Sequence, residues 1–382
     1  MVDHEHPNVD SPEAYINREL SWLHFARRVL ELAEDPSAPL LERVKFAGIM
    51  GMLFDEFSMK RMGGLRRQIE SNSKHRSLDG LTPLEELQLC REEMKRQTDV
   101  LCRLVDEQLR PALAQANIPL LDYGQLDGAQ RHCMEQYFCE AVEPILTPLA
   151  VDIGHPFPFI SNLSLNLAVV LHPRDHRWVF VRLKVPPNRP RWVPVTGGGF
   201  VPLEQVIANN LGRLFPGDWP CEFHFFRVTR GAKDDPWDRL PPGEVDQDLA
   251  PGSLIGMVSA ELTARRFAGV VRLQVSAGMP KSLRFWIAEQ LDADPADIVT
   301  MGNLLGMTDL VKFQPDGHPE LRDPPHQPVT HPRLIQLEPT DTSAIFREIR
   351  ASDLLLHHPY HSFDTSILRF LESAARDPQV LA

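Results

Sequence analysis

The chain has 382 residues, of which 43% are hydrophobic and 24% charged, and carries a formal net charge of −12. That length allows two or three domains with cores of their own, and the composition excludes disordered, fibrous and collagen-like classes. The acidic balance gives no global attraction for nucleic acid, so any polyanion binding must rest on a local basic patch.

The first third reads as helical. Asn17 precedes a stretch in which Leu23, Ala26, Val29, Leu30 and Ala33 recur at helical spacing. Pro39 opens a second helix, a position where its missing N–H costs nothing. In residues 46–70 the positions Phe54, Met62, Leu65 and Ile69 fall on one stripe about 80° wide, so this segment has a face to bury. The same segment carries Lys60, Arg61, Arg66 and Arg67, followed by Lys74 and Arg76, against Glu70 alone. Such a run is either a solvated face, with Glu56 and Lys60 as an i,i+4 pair, or a place to receive phosphate. Thr82-Pro83-Leu84-Glu85 is a capping box, and its helix is expected to run to Arg110, roughly 40 Å at 1.5 Å per residue, before Pro111 stops it.

The pattern changes near residue 120. After a short helix from Asp127 to Val142, alternating segments appear at 163–171, 177–185, 222–230 and 269–275. Leu163, Leu165, Leu167, Val169 and Leu171 are expected on one face of the first of these. Helices are expected at 203–214, 254–267 and 281–291, with a polar loop at 231–252. This mixture predicts a mostly antiparallel α+β domain. Residues 313–332 are dense in proline and read as a linker. At the end, Ser362 and Asp364 start a helix with Ile367, Leu368, Phe370, Leu371, Ala374 and Ala375 on one face. Asp377-Pro378 stops it, and Val380-Leu381-Ala382 reads as the first step of a strand.

Standard chemical motifs are thin. "VSAGMPKS" lacks both P-loop glycines, with Val275 and Pro280 in their places, and "TGGGF" has no dinucleotide fingerprint. His357, His358 and His361 have Pro359 among them, which opposes helical presentation to a metal. His155 lies between turns and suits a structural role. Cys90, Cys102, Cys133, Cys139 and Cys221 form neither C-x-x-C nor zinc spacing, so reduced thiols in a cytoplasmic protein are expected. The acidic start is no signal peptide, and the apolar runs are shorter than the roughly 20 residues of a membrane span.

Longer motifs carry more. "YINRELSWLHFARRVLELAEDPSAPLLERVKFAGI" with "DEF", "PILTPLAVDIGHPFPFISNLSLNLAV", "FRVTR", "RRFAGVVRLQVSAGMP" and "LLLHHPYHSFD" resemble, in family order, the amino-terminal and head domains of the phosphohistidine-type polyphosphate kinases. The resemblance implies four segments: a helical amino-terminal domain (1–118), an α+β head (119–315), a Pro-rich linker (316–340) and the truncated start of a phospholipase-D-like catalytic domain (341–382). It implies ATP and Mg2+ as cofactors and polyphosphate as substrate, with a homo-oligomer or a separate catalytic half as partner. The nucleophilic histidine belongs to later domains, so no catalytic residue is expected here. Lys60, Arg61, Arg66 and Arg67 become phosphate-binding candidates. The family motif Asn-Asn-Leu-Asp-Glu-Phe reads Met52-Leu53-Phe54-Asp55-Glu56-Phe57 here, so Leu53 holds the ATP-contacting asparagine's place. Leucine offers no hydrogen bond, and a buried polar partner left facing it costs about 1–3 kcal/mol. Two expectations follow: a kinase portion inactive without the phosphohistidine domains, or a non-catalytic paralogue that regulates or binds polyphosphate or kinase subunits. A broken gene without function is a third reading.

Overall fold

A computed structural model describes residues 11–151, 155–172, 178–215, 221–232, 269–302, 304–338, 341 and 343–380. The expected helix at 254–267, most of the polar loop at 231–252, and Leu381 and Ala382 lie outside them. The chain forms two compact units, Met1–Arg322 and Asp323–Ala382.

In the first unit, Asn17 caps α1 (Arg18–Glu34) by accepting hydrogen bonds from the backbone N–H groups of Glu19 and Leu20. Leu23, Ala26, Leu30 and Ala33 are buried along it, and Val29 is half-buried. α2 (Leu40–Phe57) continues through a π-helical turn (Ser58–Met62) into α3 (Gly63–Glu70). The stripe expected there is present, with Phe54, Met62 and Leu65 buried and Ile69 packed against the same core.

The capping box forms at the start of α4 (Pro83–Arg103). Pro111 does not stop this helix. A π-helical turn (Leu104–Leu109) intervenes, Arg110 N–H bonds back to the Val105 carbonyl, and α5 (Arg110–Gln115) carries the chain on. Proline removes an i→i−4 bond and crowds the carbonyl before it, and the wider π register takes up both effects. A further capping box at Asp127 opens α6 (Gly128–Tyr137).

Among the described residues the first unit also holds a six-stranded sheet in the order β1-β3-β2-β6-β7-β8. Its strands are β1 (Leu149–Val151), β2 (Leu165–Leu171), β3 (Val179–Lys184), β6 (Cys221–Arg230), β7 (Val270–Ser276) and β8 (Ile298–Met301). A separate hairpin pairs β4 (Trp192–Pro194) with β5 (Phe200–Pro202). Among the described strands of the large sheet only β7 and β8 pair in parallel; the other neighbours are antiparallel. The expected 203–214 helix divides at Asn210 into α7 (Leu203–Asn209) and α8 (Leu211–Leu214). α9 (Lys281–Gln290) connects β7 to β8.

Leu163 is not part of β2; it sits in a turn with φ of +60°. β2 is also buried on both faces rather than one. Leu167, Val169 and Leu171 join the core of the helical region, whereas Ala168 and Val170 join Phe180, Phe226 and the apolar side of α9. The helical region and one face of the sheet therefore share a core, and the other face packs a second core under α9.

In the second unit, Val329 pairs with the 360–362 segment through Val329 N–H to the Tyr360 carbonyl (3.0 Å) and Ser362 N–H to the Val329 carbonyl (2.8 Å). α10 (Pro332–Ile335) and α11 (Ala344–Ala351) are tied by Arg333, whose Nε donates to Glu348 at 3.1 Å. α12 (Arg369–Arg376) follows a π-helical turn (Asp364–Leu368) and ends before Pro378 as its sequence requires. On it Phe370 packs edge-on against Phe346, while Leu368 and Leu371 are exposed.

Candidate functional site

The last turn of α2 sends successive residues in different directions, because each is rotated by about 100° from the one before. Phe54 and Phe57 point into the helical core, where Phe57 stacks on Trp22 at 4.9 Å between centroids. Glu56 faces outward and accepts from Lys60 at 2.8 Å. Asp55 points at the sheet. Its Oδ1 and Oδ2 accept from Nη1 and Nη2 of Arg227 on β6 at 2.8 and 2.6 Å, and Thr308 Oγ1 donates to Oδ2 at 2.9 Å. Arg227 Nη1 also donates to Gln274 at 3.2 Å. Both charges are about 5% exposed. A bidentate guanidinium–carboxylate pair held by two further side chains is a rigid tie.

Glycines set this geometry. A Cβ on Gly48 would lie 2.5 Å from the Val311 nitrogen, and one on Gly51 would lie 2.6 Å from the Thr308 nitrogen. Their bare backbone lets the turn Met307–Lys312 lie directly on α2, which brings the Thr308 hydroxyl within reach of Asp55.

Beside this tie, Arg272 of β7 is fully buried over the Phe54 ring at 5.5 Å. Burial pushes its pKa down to about 10, against the opposing pull of Asp55. Among the described residues its Nη2 donates to Thr98 Oγ1 at 3.5 Å.

The basic segment divides. Arg66 turns inward, donating to the Val270 carbonyl at 2.6 Å and pairing with Asp297 at 2.5 Å. Arg91 of α4 completes this cluster with bonds to Asp297 and Asp294, each at 2.8 Å. Burial pushes the Asp297 carboxyl up, opposed by the two arginines. Lys60, Arg61 and Arg67 instead line a surface cavity of about 640 Å³, together with Arg18 and His75. Arg67 also donates to the Ala232 carbonyl at 2.6 Å, and Arg61 Nε lies 3.6 Å from Glu19.

Glu19, Asp79 and Glu86 line the same cavity. Burial pushes the Glu86 carboxyl up; Glu19 and Asp79 add to this by repulsion, and the Asn17 amide at 2.8 Å works against it. The local excess of positive charge counted along the chain is thus largely answered by acids from α1, from α4 and from the loop before α4. Lys74 and Arg76 are exposed, with Arg76 donating to the Gly80 carbonyl at 2.6 Å. Leu53 is half-buried against the helical core and lines neither this cavity nor the larger cleft beyond Asp55.

Sequence reasoning missed the partners. Asp55 and Arg227 are 172 positions apart and Arg66 and Val270 are 204 apart. "DEF" and "FRVTR" both stood out, but nothing in their spacing says that one holds the other. Among the histidines, His357 N–H donates to His361 Nδ1 at 3.0 Å and the His331 and His361 rings meet edge-on at 4.9 Å. Among the described residues no group of three His, Cys, Asp or Glu gathers as a metal ion would require. No described helix is long and apolar enough to cross a membrane.

Comparisons with known proteins agree with this layout. The family profiles of the polyphosphate kinase N-terminal domain, middle domain and C-terminal domain 1 match residues 15–121, 129–313 and 344–382. A polyphosphate kinase of Mycolicibacterium gilvum is 42% identical over 98% of this chain and 51% of its own length. One from Mycobacterium tuberculosis is 41% identical over 97% of this chain and 50% of its own length. The crystal structure of polyphosphate kinase from Porphyromonas gingivalis shares the fold, with a TM-score of 0.75 at 24% identity over 96% of this chain and 50% of that one. The chain spans about half the length of the curated relatives it matches, and it belongs to the polyphosphate kinase family.

Proposed function

We propose that these residues act as the amino-terminal and head portions of a polyphosphate kinase, which moves the terminal phosphate of ATP reversibly to polyphosphate. Transfer would require, besides them, the domains that make up the other half of the relatives. The observation carrying this reading is the match in family order from residue 15 to residue 382, at 42% identity to a polyphosphate kinase twice as long. In this reading residues 1–118 and 119–315 are the helical and head domains, 316–340 the linker, and 341–382 the start of a phospholipase-D-like domain acting in the cytoplasm. Lys60, Arg61 and Arg67, which line one cavity, face phosphate, and Arg66 steadies the segment from behind.

ATP and Mg2+ would bind where these portions meet the phosphohistidine domains, whether in the same oligomer or in a separate catalytic half. The chemistry needed there is a nucleophilic imidazole and cations fixed where charge builds up in transfer. This portion contributes positioned cations and a rigid frame. Met52-Leu53 in place of two asparagines favours a second reading, a non-catalytic regulator that binds polyphosphate or kinase subunits.

The test is ATP-dependent polyphosphate synthesis by the purified 382-residue polypeptide, alone and mixed with the phosphohistidine domains of a relative. Synthesis only in the mixture supports the kinase reading. Synthesis by the polypeptide alone overturns it, and none in either case favours the regulator.

A further inference from the structure

A cleft of about 930 Å³ opens on the far side of the Asp55–Arg227 tie, bounded by the 161–165 turn, the β3–β4 connection and the turn at 306–315. Its volume is within the range of about 300–1,000 Å³ usual for ligand sites. Five cationic and two anionic side chains line it, on a chain whose net charge is −12.

Two of those cations are already committed. Arg227 is held by Asp55. Arg191 pairs with Glu204 at 2.5 Å and Asp309 at 3.2 Å, and donates to the Gly306 and Leu305 carbonyls. Three remain. The Lys184 side chain, half-buried at the end of β3, has no hydrogen-bond or ion-pair partner among the described residues. Burial and the neighbouring Arg182 push its pKa down, which marks a positive charge without a counter-ion. Among the described residues Arg189 donates its Nε to the Ala141 carbonyl, and Lys312 lies 3.5 Å from Asp309 on the exposed rim.

The aromatic residues of the cleft are occupied with one another. Phe313 meets Trp192 and Phe200 edge-on at 5.7 and 5.1 Å, Arg191 lies over the Trp192 ring, and Trp192 Nε1 donates to the Asp309 carbonyl. Trp192 and Phe313 are buried, so they leave no broad bare face on which a nucleobase could stack.

From this arrangement we infer a second anion site, in which Lys184 at the cleft wall and Arg189 and Lys312 at the rim hold a linear chain of phosphoanhydride units. The choice of phosphate as the anion rests on the kinase reading above; the cationic cleft itself does not. A polymer of identical charged units can be gripped at one point while its end reacts at another, and the second contact raises retention without new chemistry at the reacting end. The site would hold distal units of the chain during repeated transfer.

The test is calorimetric titration of the 382-residue polypeptide with tripolyphosphate, with ATP and with adenosine, in a Lys60→Met/Arg61→Met background that removes two cations from the other cavity. Lys184→Met is expected to weaken tripolyphosphate binding at least tenfold while the melting temperature stays unchanged. Equal affinity in Lys184→Met and its parent overturns the site. Competition by adenosine alone also overturns it, since that would mark a nucleoside pocket; ATP competing through its phosphates supports it. As a measurement free of mutation, the Lys184 pKa, followed by NMR on 13C-methylated lysines, is expected to rise on adding tripolyphosphate, and no change contradicts the site. Failure of the mixed synthesis assay with Lys184-dependent binding intact sinks the kinase reading alone. Successful synthesis with Lys184-independent binding sinks this site alone.

Discussion

Asp55 shows how far a single residue can be read. The family motif marked it in the sequence, but only the fold supplies Arg227 and Thr308 as its partners. Asp55→Asn should destabilise the first unit by about 3–5 kcal/mol, because it strands a buried guanidinium. Replacing both partners, Asp55→Leu with Arg227→Met, should cost less than the single change. Urea unfolding of the variants checks this, and a parental midpoint for Asp55→Asn would show that the tie does not hold helices to sheet. Glu86 gives a pH-dependent counterpart. Its pKa in the folded chain is raised above the unfolded value, so the folded state binds more protons as pH passes upward through the ordinary carboxylate value of 4.5. Stability therefore falls with rising pH over that window. Glu86→Gln should raise the melting temperature at pH 7, lose this advantage below pH 4.5, and still accept the Asn17 amide. An unchanged melting profile across that range would contradict the burial argument. No periodicity could have shown this, since Glu19 and Asp79 reach Glu86 from other parts of the chain.

At the scale of elements, local signals were legible where local chemistry decides. The capping box at Thr82 and the stop before Pro378 involve residues within one turn of each other, and both are present. Failures came where another element overrides the local preference. Pro111 sits inside a helix because a π-helical turn makes room for it, and β2 is buried on both faces because helices cover one side and α9 the other. α2 depends on a neighbour in the same way. Gly51→Ala would place a methyl group 2.6 Å from the Thr308 nitrogen and push the 307–312 turn off the helix. The expected loss is about 1–3 kcal/mol by overpacking, although alanine is the better helix former. Thermal melting decides between these effects; a rise in melting temperature would mean that the close approach is not needed.

Over the whole molecule, charge counted along the sequence gave a basic segment, and the fold redistributes it. Arg66 is drawn into a cluster with Asp297 and Arg91, Lys60, Arg61 and Arg67 share a cavity with Arg18 and three acids, and Lys184, Arg189 and Lys312 lie in another cleft. Family and architecture could be read from the motifs because they run the length of the chain; the pairing of charges could not, because it depends on contacts more than 150 positions apart. The proposed division of labour makes these residues the frame and the cationic surface, with the reactive histidine elsewhere. Incubation with γ-labelled ATP, followed by measurement of acid-labile, base-stable phosphate on each polypeptide, tests this directly. The account predicts no label on this 382-residue polypeptide and label only on the added phosphohistidine domains; phosphohistidine on this polypeptide would contradict it.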